Sequence, residues 1–162
     1  MKIIICGAGQ VGASIAAHLS EENNDVTVID QNQDRLRKVV DHSDVSAVEG
    51  LASYPEVLQQ AGIENADMIL AVTQSDEVNM IACQVGHSIF GIPEKIARVR
   101  HQSYLNRTWV DLYRTDHLPI DLIISPEIEV AKAIERRLEV PGALDMLRFG
   151  DDKLLSLIHI SE

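Results

Sequence analysis

Gly7, Gly9, Gly12 and Asp30 are the residues of this chain whose types and spacing point most directly to chemistry. The glycines stand in the string Gly7-Ala8-Gly9-Gln10-Val11-Gly12, a G-x-G-x-x-G turn, and Asp30 follows eighteen residues past the last of them. Gly7 permits a tight turn, Gly9 lets a pyrophosphate approach the backbone, and Gly12 lets the following helix pack closely on its sheet. The amides of Gln10, Val11 and Gly12 would then face phosphates from the positive end of a helix dipole. Asp30 can accept hydrogen bonds from both hydroxyls of an adenosine ribose. It would repel a ribose 2′-phosphate, which favours NAD over NADP.

A lone G-x-G-x-x-G is a weak signal, and its setting decides its meaning. Here an apolar strand, Lys2 to Cys6, precedes it, an apolar-faced helix follows, and a second strand, Val26 to Asp30, ends on the acid. The rhythm continues. Asn32 to His42 reads as a helix and Val45 to Glu49 as a strand ending at Gly50. Ser53 is placed to cap a helix over Tyr54 to Ala61, with Pro55 in its first turn and Gly62 as its stop. Asp67 to Thr73 is a nearly continuous apolar strand, as expected of a buried parallel one. Ser75 caps a helix running to Phe90, Ile96 to Arg100 is a fifth strand, and Ser103 begins a helix through Tyr113. Leu122 to Ile124 is a sixth strand, and Ser125-Pro126 opens a helix that ends before Pro141-Gly142. Six strands alternating with helices predict a Rossmann-like doubly wound parallel sheet in three α/β/α layers, in order 3-2-1-4-5-6. The alternative for the glycines is a domain of this fold that binds no nucleotide and keeps them for packing.

Ligands of such sheets sit beyond the carboxyl ends of the strands, where the strand order reverses. That position brings Thr73 and Gln74, after the fourth strand, beside the glycine turn. Arg98 and Arg100 alternate along the fifth strand and project to one face. Either could clamp a phosphate bidentately, or pair with a carboxylate at the sheet rim.

Composition fits one domain with a sizeable core: 162 residues, 46% hydrophobic and 24% charged. The net charge of −11 argues against general binding to nucleic acid or to an anionic membrane surface. No apolar run approaches the roughly 20 residues of a membrane span, and Lys2 leads straight into a strand without a signal peptide, so a cytoplasmic location is expected. Cys6 reads as a small buried residue. Cys83 and His87 stand one turn apart on a helix without further ligands nearby, so no metal site is expected.

A hydride-transferring enzyme needs an acid or base beside the nicotinamide and a substrate pocket. The chain spends its length on the sheet itself. Tyr54, Tyr104 and Tyr113 are followed four residues later by Leu58, Thr108 and His117, so no tyrosine–lysine pair shares a helix face. No G-x-x-x-x-G-K-[ST] loop occurs. A cofactor site without catalytic residues points to a sensor; a small NAD-dependent oxidoreductase, or the cofactor half of one, is the alternative.

Several strings together resemble the RCK (KTN) family of regulatory domains of potassium transporters and channels. They are Met1 to Gly12, Val28-Ile29-Asp30, Ala71-Val72-Thr73, Asp76 to Met80, Ile96 to Arg100 and Ile124 to Glu127. The resemblance covers Met1 to about Lys153. It implies a non-enzymatic part in potassium transport, NAD(H) or ATP/ADP as regulatory ligand, and a Trk-type membrane potassium transporter subunit as partner. It also implies a location on the inner face of the membrane through that partner, and a homodimer or higher oligomer. The family's nucleotide contacts correspond to Gly7 to Val11, Asp30, Thr73, Gln74 and Arg98. Two departures stand out. Gly50-Leu51-Ala52 lacks the acid the family carries at the middle position, and the tail from about Leu155 to Glu162 does not resemble the family. Residues 1–140 are read as the nucleotide-binding domain and 141–162 as the start of a connection with a foreign tail, or else an extra strand. After Pro126, Ile128, Ala131, Ile134 and Leu138 form an apolar stripe that Val130 and Ala133 widen. It packs on its own sheet or, as the resemblance implies, is exchanged between subunits.

Overall fold

A computed structural model of the chain describes residues 1–114, 116–126, 128, 130, 131, 134, 135, 145–149 and 154–158. Chain contacts separate two units, Met1–Ile124 and Ser125–Glu162.

The first unit is a six-stranded sheet with every pairing parallel, in the order β3-β2-β1-β4-β5-β6. Its strands are β1 (Lys2–Cys6), β2 (Asp25–Asp30), β3 (Ser46–Glu49), β4 (Met68–Ala71), β5 (Glu94–Arg98) and β6 (Leu122–Ile124). The helices are α1 (Gln10–Glu21), α2 (Gln33–His42), α3 (Pro55–Gln60), α4 (Asp76–Ser88) and α5 (Gln102–Leu105). Strand alternation sorts the core onto two faces. Ile3, Ile5, Val26, Val28 and Leu70 pack with Ala16 of α1 and Leu36 and Val39 of α2. Ile4, Cys6, Ile29, Ile69 and Ala97 pack with Leu58 of α3 and Ala82 and Cys83 of α4. Ile4, Ile5, Ile29 and Ile69 are fully buried, as a parallel sheet covered on both sides requires. The strand order reverses between β1 and β4, which fixes the site at the ends of those strands.

Two acids set the starts of strands by the same device. Asp67 accepts the Lys2 amide at 2.7 Å, and Asp121 accepts the Lys95 amide at 2.7 Å. Lys95 is buried, and its Nζ meets Asp121 at 2.8 Å, the Pro93 carbonyl at 2.9 Å and the Ile92 carbonyl at 3.1 Å. Burial acts against the Asp121 carboxylate, yet its bonds to Lys95 hold it below the ordinary range.

Four expectations shift. The fifth strand begins at Glu94 and ends at Arg98, two residues earlier at each end. Lys95 can lie in a strand because three acceptors satisfy its ammonium. At the other end the Arg100 and His101 amides go to the Asp76 carboxylate, at 2.9 and 2.8 Å, and leave the ladder. Arg100 therefore lies past the strand and does not alternate along it with Arg98. The fourth strand stops at Ala71, because the Thr73 amide is taken by Asn79 Oδ1 at 2.8 Å. The expected helix from Ser103 to Tyr113 is instead α5 followed by a 3₁₀ segment, Arg107–Tyr113. Asn106 divides them by accepting the Thr108 amide at 2.9 Å, a local side-chain bond that competes with helix continuation. α3 starts after Tyr54 without a side-chain cap, so Ser53 does not cap it; Pro55 at its start has no amide to satisfy.

In the second unit, residues 126, 128, 130, 131, 134 and 135 are helical, as the opening at Pro126 predicts. Val130 and Ile134 are exposed. Ala133, Leu138, the helix end and the expected boundary at 140 lie outside the described residues. Strands β7 (Asp145–Phe149) and β8 (Leu154–Ile158) pair as an antiparallel hairpin.

Candidate functional site

The glycine turn is built by contacts that admit no side chain. Gly7 has φ +110°, and a Cβ there would stand 3.0 Å from the Thr73 backbone. A Cβ on Gly12 would lie 1.8 Å from the Gly7 carbonyl oxygen, so α1 meets the turn that precedes it as well as the sheet. Gly9 differs: a Cβ there meets nothing within 4 Å. Space is therefore open over the start of α1. Gly9 caps that helix without a side-chain bond, and its first turn carries no acid. The leading amides of Gln10, Val11 and Gly12 form an unneutralised positive end.

Asp30 closes the turn from the neighbouring strand. Its Oδ2 accepts the Ala8 amide at 2.7 Å and its Oδ1 accepts the Asn32 amide at 2.8 Å. Arg35, on the first turn of α2, places Nη1 3.8 Å from Oδ2. Asn32 caps α2 by accepting the Arg35 amide at 3.1 Å, which holds that turn in place. A cavity of about 210 Å³ opens here, with Gly7, Gly9, Asp30, Leu51, Thr73 and Gln74 in its wall. Leu51, at the position where the resemblance expects an acid, is an apolar wall residue.

The structure thus brings together Gly7, Gly9, Asp30, Thr73 and Gln74. Ala8, Gln10, Val11 and Gly12 belong to the adjoining turn and first helical turn. Arg98 ends β5, half-buried, and its carbonyl accepts Asn79 Nδ2 at 2.8 Å. Arg100 bonds the Gln74 carbonyl through its guanidinium and lies 3.7 Å from the buried Asp76 carboxylate. Neither arginine lines the cavity. Arg35 and Asn79 escape the sequence reading. Arg35 sits where an exposed helix arginine is ordinary. Asn79 lies inside the Asp76-to-Met80 string, but its burial is visible only in three dimensions.

Cys6 and Cys83 are free and buried; burial raises both thiols, Cys83 to about 12. Among the described residues no three His, Cys, Asp or Glu side chains group to hold a metal ion, and no helix is long and apolar enough to cross a membrane.

Residues 3–126 match the TrkA-N domain family. The chain is 53% identical over 155 residues to the Trk system potassium uptake protein TrkA of Azorhizobium caulinodans, covering 96% of this chain and 34% of that protein. It is similar in fold to the TrkA-N domain of the inner membrane protein ybaL from Escherichia coli. The TM-score is 0.71 at 19% identity, over 85% of this chain and 96% of that one. It is also similar in fold to the GsuK channel bound to NAD, with a TM-score of 0.67 at 18% identity, over 93% of this chain and 25% of that one. The chain spans about a third of the length of the TrkA relative. It belongs to the TrkA-N domain family.

Proposed function

We propose that this TrkA-N domain is the nucleotide-sensing part of a regulatory subunit of a potassium uptake system, and that it catalyses no reaction. Its ligand is NAD(H) or ATP/ADP. The observation that carries this reading is the open space above Gly9, set between the start of α1, which no side chain caps, and the Asp30 carboxylate. A pyrophosphate fits the first and a ribose diol the second. Ala8, Gln10, Val11 and Gly12 contribute backbone around the phosphates, and Thr73 and Gln74 border the ligand; Arg98 and Arg100 lie outside the cavity wall.

Similarity to a Trk system potassium uptake protein supports the regulatory role, and the NAD-bound GsuK channel supports the ligand class. The net charge of −11 disfavours direct lipid binding, so a protein partner, a Trk-type membrane transporter subunit, brings the domain to the inner face of the membrane. We place the nucleotide-binding domain at residues 1–140, with the following residues leading toward the remainder of the subunit. A homodimer or larger ring would join two nucleotide sites. A ligand moves such an assembly only by its differential affinity for two states, and a tenfold bias needs about 1.4 kcal/mol.

Titration calorimetry of the purified chain with NADH, NAD, ATP and ADP tests the reading. Saturable binding by at least one, abolished by Gly9→Val, is the expected result. No heat from any of the four overturns it. The alternative oxidoreductase reading requires a proton-transfer group, and the carboxylate in the cavity wall, Asp30, already holds two backbone amides.

A further inference from the structure

Asn79 is fully buried, and its side chain makes four hydrogen bonds. Nδ2 donates to the Thr73 carbonyl at 3.2 Å and to the Arg98 carbonyl at 2.8 Å. Oδ1 accepts the Thr73 amide at 2.8 Å and the Thr73 hydroxyl at 2.7 Å. The orientation of the amide is fixed by its partners, because two carbonyl oxygens can only accept and must face the NH₂ group. Oδ1 therefore faces Thr73, and Thr73 Oγ1 must donate its single hydrogen there. The Ser75 carbonyl is the competing acceptor at 3.2 Å, half an ångström farther away. The hydroxyl also accepts the Ser75 amide, at 3.3 Å. Its hydrogen spent, the Thr73 hydroxyl has only lone-pair capacity left for anything else it meets.

Thr73 is a wall residue of the cleft. We propose that Asn79 is a positioning residue of that cleft, which commits the Thr73 hydroxyl as an acceptor and so selects a ligand hydrogen-bond donor, a sugar hydroxyl, over a phosphate oxygen. The inference rests on the nucleotide reading above and adds to it the polarity of one wall. Phosphate is left to the amides of Gln10, Val11 and Gly12 at the start of α1. Two subsites of opposite hydrogen-bonding character then fix the direction in which a nucleotide lies. Because Asn79 also holds the Arg98 carbonyl, the same side chain ties the end of β5 to the cleft wall.

The test is calorimetric titration of the full chain with NADH, ADP and inorganic pyrophosphate, for wild type, Thr73→Ser, Thr73→Val, Asn79→Ser and the double variant Thr73→Val/Asn79→Ser. Thr73→Val removes the hydroxyl and keeps Asn79 and the shape of the wall. It should weaken at least one nucleotide about fivefold, the size of one neutral hydrogen bond, and leave pyrophosphate unchanged. Thr73→Ser should bind as wild type. Asn79→Ser should reproduce the Thr73→Val loss, and the double variant should bind no more weakly than Thr73→Val. Thermal melts check that the variants fold, and Thr73→Val against Thr73→Ser decides the matter if Asn79→Ser does not. Equal nucleotide affinity in wild type and Thr73→Val overturns the proposal while the nucleotide reading stands. An added loss for Asn79→Ser in the Thr73→Val background overturns the positioning role. A wild type that binds neither nucleotide removes the function proposed above and this inference with it.

Discussion

The Asp30 carboxylate accepts the Ala8 amide at 2.7 Å across 22 residues of chain, joining the end of β2 to the glycine turn after β1. The ribose-binding acid of the sequence reading is thus also part of the scaffold that shapes the phosphate turn. Its second oxygen takes the Asn32 amide and fixes the start of α2, so one side chain sets three pieces of backbone around the cleft. A ligand diol joins an acceptor already ordered, and little rotamer freedom remains to be lost on binding.

Asp30→Ala should therefore cost both affinity and stability. Loss of hydrogen bonds to a charged acceptor amounts to about 1.5–3 kcal/mol, read as a ten- to hundredfold rise in the nucleotide Kd. A lower melting temperature in the absence of ligand should accompany it. Weakened binding with an unchanged melt would assign Asp30 to the ligand alone and remove its scaffold role.

Gly9 and Gly12 should separate binding from folding. Gly12→Ala puts a Cβ 1.8 Å from a backbone oxygen, a clash that neither partner can relieve by rotating a side chain. About 2–4 kcal/mol of stability should be lost, within the range of severe single substitutions. A Cβ at Gly9 meets nothing within 4 Å, and the side chain of Gly9→Val occupies the space assigned to the pyrophosphate. Its melt should stay close to wild type while nucleotide binding disappears. A denaturant titration of both variants alongside calorimetry reads both outcomes.

The fold was legible because a parallel sheet writes itself plainly. Ile3 to Cys6, Val26 to Ile29 and Met68 to Ala71 are apolar runs bounded by turn residues, and the order 3-2-1-4-5-6 follows from the crossover pattern. The errors fell where a polar side chain replaces a backbone partner. Lys95, outside the expected fifth strand, lies buried against Asp121 and two carbonyls. Asp76 takes two amides that a longer β5 would have needed. Asn106 splits a helix that its neighbours' propensities would continue. Asn79 is hidden for the same reason: nothing in a single sequence distinguishes a buried asparagine that satisfies three backbone groups and a hydroxyl from one on a helix surface.

The Lys95–Asp121 pair gives the stability a pH dependence of known sign. The native carboxyl titrates below its ordinary value of 3.8. Its contribution is therefore complete above that value, and it is lost as pH falls through the lowered native one. Asp121→Asn should lower stability near neutrality by about 1 kcal/mol, toward the small end for charged hydrogen bonds because the carboxylate is half exposed. The gap from wild type should narrow as pH drops below about 4. Parallel melts across pH 2.5–7 provide the measurement, and a gap that stays constant over the range would deny the pair its role.

Purified chain incubated with NADH and a panel of carbonyl compounds should show no protein-dependent oxidation. In the cavity wall the Asp30 oxygens are engaged by Ala8 and Asn32, and the Thr73 hydrogen by Asn79. A reproducible turnover that Gly9→Val removes would replace the sensor with an enzyme.

Self-association is the remaining expectation, and it concerns the helical residues after Ser125. Val130 and Ile134 are apolar, exposed and four residues apart, so they stand one turn from each other on the same helix face. Burying such a face in a symmetric dimer removes apolar surface from water at about 25 cal/mol per Å². Light scattering should give at least twice the 17.9 kDa chain mass. Ile134→Asp would place a charge in the apolar contact and should shift the population toward monomer. A strictly monomeric wild type at high concentration would exclude this helix as the subunit contact of the chain, and an Ile134→Asp variant that remains dimeric would move the contact to another surface.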